Sequence, residues 1–200
     1  MQTNKTKQWD ISMKEVAAGI GTKTDLGKDE LHLMCTRVYI DLYGEKDYTS
    51  TLTAIPDIMR EYVKIIRLIQ DREENHLIYM AVLNLKLELA SIYHKGTEYI
   101  DMINMVLQNE IKVLMYGKYK YSADNWRKID PPLRYFDAFG RHLLHMMKDG
   151  MEAVDEESGL PSMSHCHCDL SFFAELLWTR GPYDNYDVWV AREKAAETTI

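Results

Sequence analysis

The stretch Pro56-Asp57-Ile58-Met59-Arg60-Glu61-Tyr62-Val63-Lys64-Ile65-Ile66-Arg67-Leu68-Ile69-Gln70 decides the fold class. Ile58, Met59, Tyr62, Ile65, Ile66 and Ile69 recur at steps of three and four. On a helix of 3.6 residues per turn that spacing gathers them on one face, which must be buried against a partner. Pro56 suits the first helical turn, where a missing N–H costs nothing.

The same pattern extends in both directions. Glu73 to His94 continues it with Leu77, Met80, Leu83, Leu87 and Ile92, and Lys95-Gly96 breaks it. Thr97 is expected to cap the next helix, which carries Ile100, Ile103, Met105, Val106, Ile111 and Leu114 to Gly117. Lys118 to Pro132 reads as a loop rich in aromatic and charged residues. Leu133 to Lys148 is helical, with Phe136, Phe139, Leu143, Leu144 and Met147. Gly150 to Ser162 is an acidic loop, Met163 to Trp178 a strong helix, and Gly181-Pro182 its stop, before a short terminal helix over Asp184 to Glu197. Towards the N-terminus, Leu31, Met34, Val38 and Leu42 mark a helix over Asp29 to Tyr43, ended by Gly44. Met1 to Lys28 reads as a flexible arm around at most one short helix, Ser12 to Ala18. Alternation with a period of two is scarce, so no sheet is expected. The expectation is an all-α chain: one helical bundle over 29–200 behind an N-terminal arm at 1–28.

Composition narrows the function classes. With 200 residues, 46% hydrophobic and 28% charged, the chain can bury a core as one domain. A net charge of -7 weighs against a nucleic acid polymer as partner, which needs clustered Lys and Arg. It leaves room for a small phosphorylated ligand. Met1 to Asp10 has no apolar segment of the secretory kind, and no apolar run reaches membrane-spanning length. No membrane partner is expected, and a cytoplasmic location is. The three cysteines, Cys35, Cys166 and Cys168, do not suggest a disulfide framework and read as packing residues or free thiols. The twelve methionines sit mostly on apolar helix faces and read as adaptable core filler.

Chemistry-bearing residues crowd one region: His142, His145, Asp149, Glu152, Asp155, Glu156, Glu157, His165, His167 and Asp169. His142 and His145 share a helix face, as do His165 and Asp169. An acidic loop joins the two helices, so a cation site lined by oxygen and nitrogen is one reading and a solvated loop the other. Zinc through Cys166 and Cys168 is disfavoured because near-adjacent helical positions diverge. A carboxylate-dominated set suits Mg²⁺ or Mn²⁺. Just upstream, Lys118, Lys120, Arg127 and Arg134 alternate with Tyr116, Tyr119, Tyr121, Trp126 and Tyr135. That mixture suits a nucleotide, with the base stacked and the phosphates paired, or else anchors a long loop.

At these residues the chain resembles a known family. Lys120-Tyr121-Ser122-Ala123-Asp124-Asn125-Trp126 resembles the KYGxRNW signature of the phage-type dATP/dGTP diphosphohydrolase domain, placed with the MazG-like all-α nucleoside triphosphate pyrophosphohydrolases. Arg141-His142-Leu143-Leu144 matches its RHLL segment. Asp155-Glu156-Glu157-Ser158-Gly159-Leu160-Pro161 is similar to its DPESGLPH segment, and Met163-Ser164-His165-Cys166-His167-Cys168-Asp169 to its LAHAxxN segment. The resemblance covers roughly Tyr116 to Trp178. Ser122 replaces the signature glycine, Asp124 its arginine, Glu156 a proline, Ser162 a histidine and Asp169 an asparagine. The ExxE and ExxD motifs of MazG-like helices are not placed; Glu73, Glu74 and Glu88 are the contributors offered by the earlier helices.

The resemblance implies hydrolysis of a purine (deoxy)nucleoside triphosphate to monophosphate and pyrophosphate, in a homo-oligomer, within the host cytoplasm if phage-encoded. The residues nominated for the cation, Mg²⁺ or Mn²⁺, are Glu152, Asp155, Glu157 and Asp169. Glu157 and His165 are nominated for catalysis, His165 as metal ligand or proton carrier. Lys120, Tyr121, Asn125, Trp126, Arg141 and His142 are nominated for the nucleotide. The substituted signature residues leave a second reading open: a non-catalytic helical factor of phage origin, regulatory or anti-defence, that binds a nucleotide or a protein. A phosphohydrolase of the HD type comes last, because no adjacent His-Asp pair is present.

Overall fold

The computed structural model of the chain describes residues 28, 30–33, 54–183, 191 and 195. Five helices carry it: α1 (Ala54–Gln70), α2 (Asn75–Tyr93), α3 (Tyr99–Lys120), α4 (Leu133–Asp149) and α5 (Ser162–Thr179). Two short 3-10 turns, Leu31–Leu33 and Asn125–Lys128, complete the order. Among the described residues there is no strand, only an isolated bridge between Val154 and Pro161. The all-α expectation holds. The arm before Lys28, Cys35, most of the helix expected over Asp29 to Tyr43, and the terminal helix (Ala191 and Ala195 apart) lie outside the described residues. No helix among them is long and apolar enough to cross a membrane.

α5 is the axis of the bundle. It packs on α4, α2 and α3, while α1 lies across α2 and α4. Most of its residues are buried, including Met163, Leu170, Phe173 and Leu177, as expected of a helix that is apolar on nearly every side. The core centres on rings from three helices. Tyr62 lies 4.7 Å from Phe136 and 5.4 Å from Phe139, and Phe136 stacks 4.9 Å from Phe173. Gly140 lets α1 and α4 approach. A Cβ there would fall 2.3 Å from the Tyr62 hydroxyl and 2.7 Å from Leu31 Cδ1.

Several local readings need correction. α1 begins at Ala54, two residues before Pro56. Thr97 does not cap α3; Glu98 occupies that position without a side-chain cap hydrogen bond. α3 runs on to Lys120, so the expected loop loses its first three residues. The stripe assigned to α2 is out of phase: Leu77, Met80 and Leu87 are exposed, whereas Ile78, Val82, Leu85 and Leu89 are buried. α3 repeats the error in part: Ile100, Met105, Ile111 and Leu114 are exposed, whereas Val106 is buried as expected, together with Met102, Glu110 and Val113. On α4, Leu144 and Met147 stay exposed while Phe136, Phe139 and Leu143 are buried. The reason is common to all three. A helix apolar on two faces satisfies the three-four rule twice, and the neighbouring helices choose between them. The methionines divide likewise: Met59, Met102, Met146 and Met163 are buried, and Met80, Met105, Met115 and Met147 are exposed.

Candidate functional site

Three segments converge beside α5. The first follows α3. Asp124 takes a left-handed conformation, φ 58°, which Asp tolerates better than most residues, and the chain coils into the turn Asn125–Lys128. Trp126 stacks on Phe172 of α5 at 4.7 Å and 13°, and Tyr135 packs on the same Phe172 ring at 4.9 Å. The Tyr135 hydroxyl donates to the Trp126 carbonyl at 3.3 Å. The Arg127 guanidinium lies 4.2 Å from the Trp126 ring centre and reaches Glu175 at 3.3 Å. Two groups this close to one ring centre occupy opposite faces, so Trp126 is a wall of the site rather than a free stacking platform. Arg180, a buried residue that the sequence reading did not single out, clamps the segment. It donates to the Ile129 carbonyl at 2.8 Å and the Arg127 carbonyl at 3.2 Å, and pairs with Asp130 at 2.7 Å.

The second segment is the acidic loop, which is built as a tight hairpin. The Asp155 N–H donates to the Leu160 carbonyl at 2.9 Å, and the Gly159 N–H to the Asp155 carbonyl at 2.8 Å. The Ser158 N–H donates to Asp155 Oδ1 at 2.8 Å, and the Leu160 N–H to Ser158 Oγ at 3.1 Å. Ser158 Oγ in turn lies 2.7 Å from His165 Nε2. Burial pushes the Asp155 carboxyl up, but the hydrogen bonds from Ser158 and the nearby His165 and His142 outweigh it and hold the group below the usual carboxylate range.

The third is the facing pair of α4 and α5. The imidazoles of His142 and His165 stack at 4.7 Å and 18°. Each has a carboxylate at 3.9 Å, Asp169 for His142 and Asp155 for His165. His145 braces the two helices, with Ser162 Oγ at 2.9 Å from Nδ1 and Asp149 at 2.9 Å from Nε2.

These segments enclose a cavity of about 540 Å³, a size that takes a small-molecule ligand. Lys120, Tyr121, Asn125, Trp126, Arg141, His142, Asp155, Glu157, His165 and Asp169 all line it, with Lys118 and His145. Lys120 pairs with Glu157 across the wall, its ammonium 5.0 Å from the Tyr121 ring centre. Glu152 does not line it. It is exposed near Tyr93, whose hydroxyl is raised by burial and by the Glu152 charge. Tyr119 is exposed outside the cavity, and Arg134 spends a donor on the Asp130 carbonyl at 3.3 Å.

The donor set does not fit a preformed cation site. Among the described residues no three His, Cys, Asp or Glu side chains are grouped so as to hold a metal ion. The reason lies in the partners: Asp155 closes its own hairpin, Glu157 faces Lys120, and Glu152 points elsewhere. The earlier helices do not complete the set. Glu74 pairs with His76 at 3.1 Å, Glu73 borders a hollow beside Arg180 and Tyr183, and Glu88 faces Asp57 and Glu61. Glu110 is buried on α3 but bonded to Lys86 and to Ser171, the latter at 2.9 Å. Cys166 and Cys168 are buried free thiols, and the Cys166 thiol is turned to the Phe139 carbonyl at 3.9 Å. His167 is also outside the cavity. It is fully buried, and neither ring nitrogen has a hydrogen-bond partner. Burial, with Lys86 and His94 close by, lowers its pKa to about 3.

Residues from all four motifs line this one cavity. Residues 94–185 match the family model described as dATP/dGTP diphosphohydrolase, N-terminal. This is the family that the motifs resemble, and the match extends the resemblance upstream over the whole of α3. α1, all of α2, Lys28 and residues 30–33 lie outside it. No curated protein and no solved structure matches the chain.

Proposed function

We propose that the cavity binds the polyphosphate of a purine deoxynucleoside triphosphate and that the protein hydrolyses it to monophosphate and pyrophosphate. The observation that carries this is the convergence of all four motifs of the diphosphohydrolase-like segment on one cavity, which Lys120, Arg141 and the stacked imidazoles of His142 and His165 all line. Lys120 and Arg141 supply positive charge for phosphate oxygens, Arg141 as a planar fork. Asn125, Tyr121 and the edge of Trp126 face the sugar and base. His165 takes the proton of the attacking water as the water oxygen bonds to the α-phosphorus. The α–β anhydride bond breaks, and pyrophosphate leaves with the bridging oxygen. A positioned base of this kind contributes roughly 10²- to 10⁴-fold. His142, stacked on His165 beside Asp169, keeps a second ionisable ring next to the transferred proton.

The pairing of Glu157 with Lys120 and the lack of three grouped ligands favour a second reading, a factor that binds the nucleotide without turning it over. One assay separates the two. Each nucleoside triphosphate is incubated with the protein in Mg²⁺, in Mn²⁺ and in EDTA, and the products are resolved by chromatography. dAMP or dGMP with pyrophosphate is expected. Binding without turnover in all three buffers selects the second reading, and release of intact triphosphate selects the HD type. The EDTA arm tests the expected dependence on a divalent cation. The exposed Leu77, Leu87, Ile100, Leu107 and Ile111 support the expected homo-oligomer, which light scattering tests.

A further inference from the structure

The turn Leu31–Leu33 is tied to the same helix that presents Arg141. The His32 N–H donates to Asp137 Oδ1 at 2.8 Å, and His32 Nδ1 lies 2.7 Å from Asp137 Oδ2. Asp137 is buried, sits 105 residues away in sequence, and is one turn before Arg141 on the same α4 face. The His32 carbonyl accepts from Gln70 Nε2 at 2.8 Å. Leu31 packs into the core at the bare surface of Gly140. Four residues before His32, Lys28 lines the cavity. Among the described residues no carboxylate pairs with Lys28, whereas Lys120, at the end of α3, already faces Glu157.

We propose that Lys28 is a phosphate-binding residue of this cavity, held there by the docking of Leu31 and His32 on α4. The inference rests on reading the cavity as a polyphosphate site, and it adds a residue that lies outside the family-matched segment. Through this docking His32 acts on ligand binding by way of Lys28, without touching the ligand.

Pyrophosphate and dATP are titrated calorimetrically into the full chain, in EDTA at low salt, with wild type, Lys28→Ala, Lys28→Arg, His32→Ala and the Lys28→Ala/His32→Ala double variant. Loss of one charge-assisted phosphate contact predicts about tenfold weaker binding for Lys28→Ala, with most of the affinity kept by Lys28→Arg. His32→Ala, checked for helical content by circular dichroism, is expected to weaken binding similarly and to add little in the double variant, because both act through one contact. Lys28 is exposed, so Lys28→Ala is expected to fold as wild type does, which the same circular dichroism check verifies. Binding by Lys28→Ala equal to that of a competent wild type overturns this inference and leaves the polyphosphate reading standing. A wild type that binds neither compound, in EDTA or with Mg²⁺ added, overturns both.

Discussion

His165 and His167 stand two residues apart on α5 and meet opposite conditions. His165 faces the cavity, stacked on His142 and bonded to Ser158. His167 lies near Lys86 of α2 and His94 at its end, sealed from solvent, with both nitrogens unpartnered and its pKa brought to about 3 by burial. The residue type is the same and the sequence neighbourhood is shared. A rotation of about 200° around the helix axis separates a ring that faces the cavity from one that burial holds neutral. Proximity in a motif therefore does not confer a role; the face does.

The largest expected effect would break that comparison outright. His165→Ala should lower turnover of dATP or dGTP by roughly 10²- to 10⁴-fold while the thermal midpoint moves little, whereas His167→Leu should leave turnover near wild type. Equal losses in the two variants would mean that both rings serve the core alone. Stability against pH is the next test. The folded pKa of His167 lies below its unfolded value, so the unfolded chain binds the extra proton. The stability linked to this group is complete above about pH 6.5 and is lost as pH falls towards 3, at up to about 1.4 kcal/mol per pH unit. Denaturant titrations between pH 7 and 4 should show that slope in wild type and a flatter one in His167→Leu.

A packing variant sharpens the contrast between core and cavity. Gly140→Ala drives a methyl group into the Tyr62 hydroxyl and Leu31, and should cost about 1–3 kcal/mol in urea unfolding. The smallest effect concerns the cavity wall. Lys120 and Glu157 are partly exposed, so a double-mutant cycle with Lys120→Met and Glu157→Gln should give a coupling of about 0.2–1 kcal/mol in stability. A coupling of several kcal/mol would show the pair to be structural.

Much of the fold was legible because breakers are local. Lys95-Gly96, Gly150 and Gly181-Pro182 each end a helix where the chain reads as ending one. The phase of α2 and α3 was not legible, since Leu77 and Ile78 are equally apolar and only the position of α5 decides which is covered. The site was legible as a set of residues and not as a set of partners. The loop acids read as cation ligands, but Asp155 is committed to the Ser158 N–H and Glu157 to Lys120. Lys28 and Arg180 left no local signal, because each acts on residues far away in the chain.

The Arg180 clamp has a practical consequence for anyone trimming the chain. α5 ends at Thr179, and a cut at that boundary would look harmless. It would remove the guanidinium that holds the Ile129 and Arg127 carbonyls, together with the Pro182 carbonyl that accepts from the Leu133 N–H at 3.2 Å at the start of α4. The smallest fragment that keeps the cavity's aromatic wall in place therefore extends past Pro182.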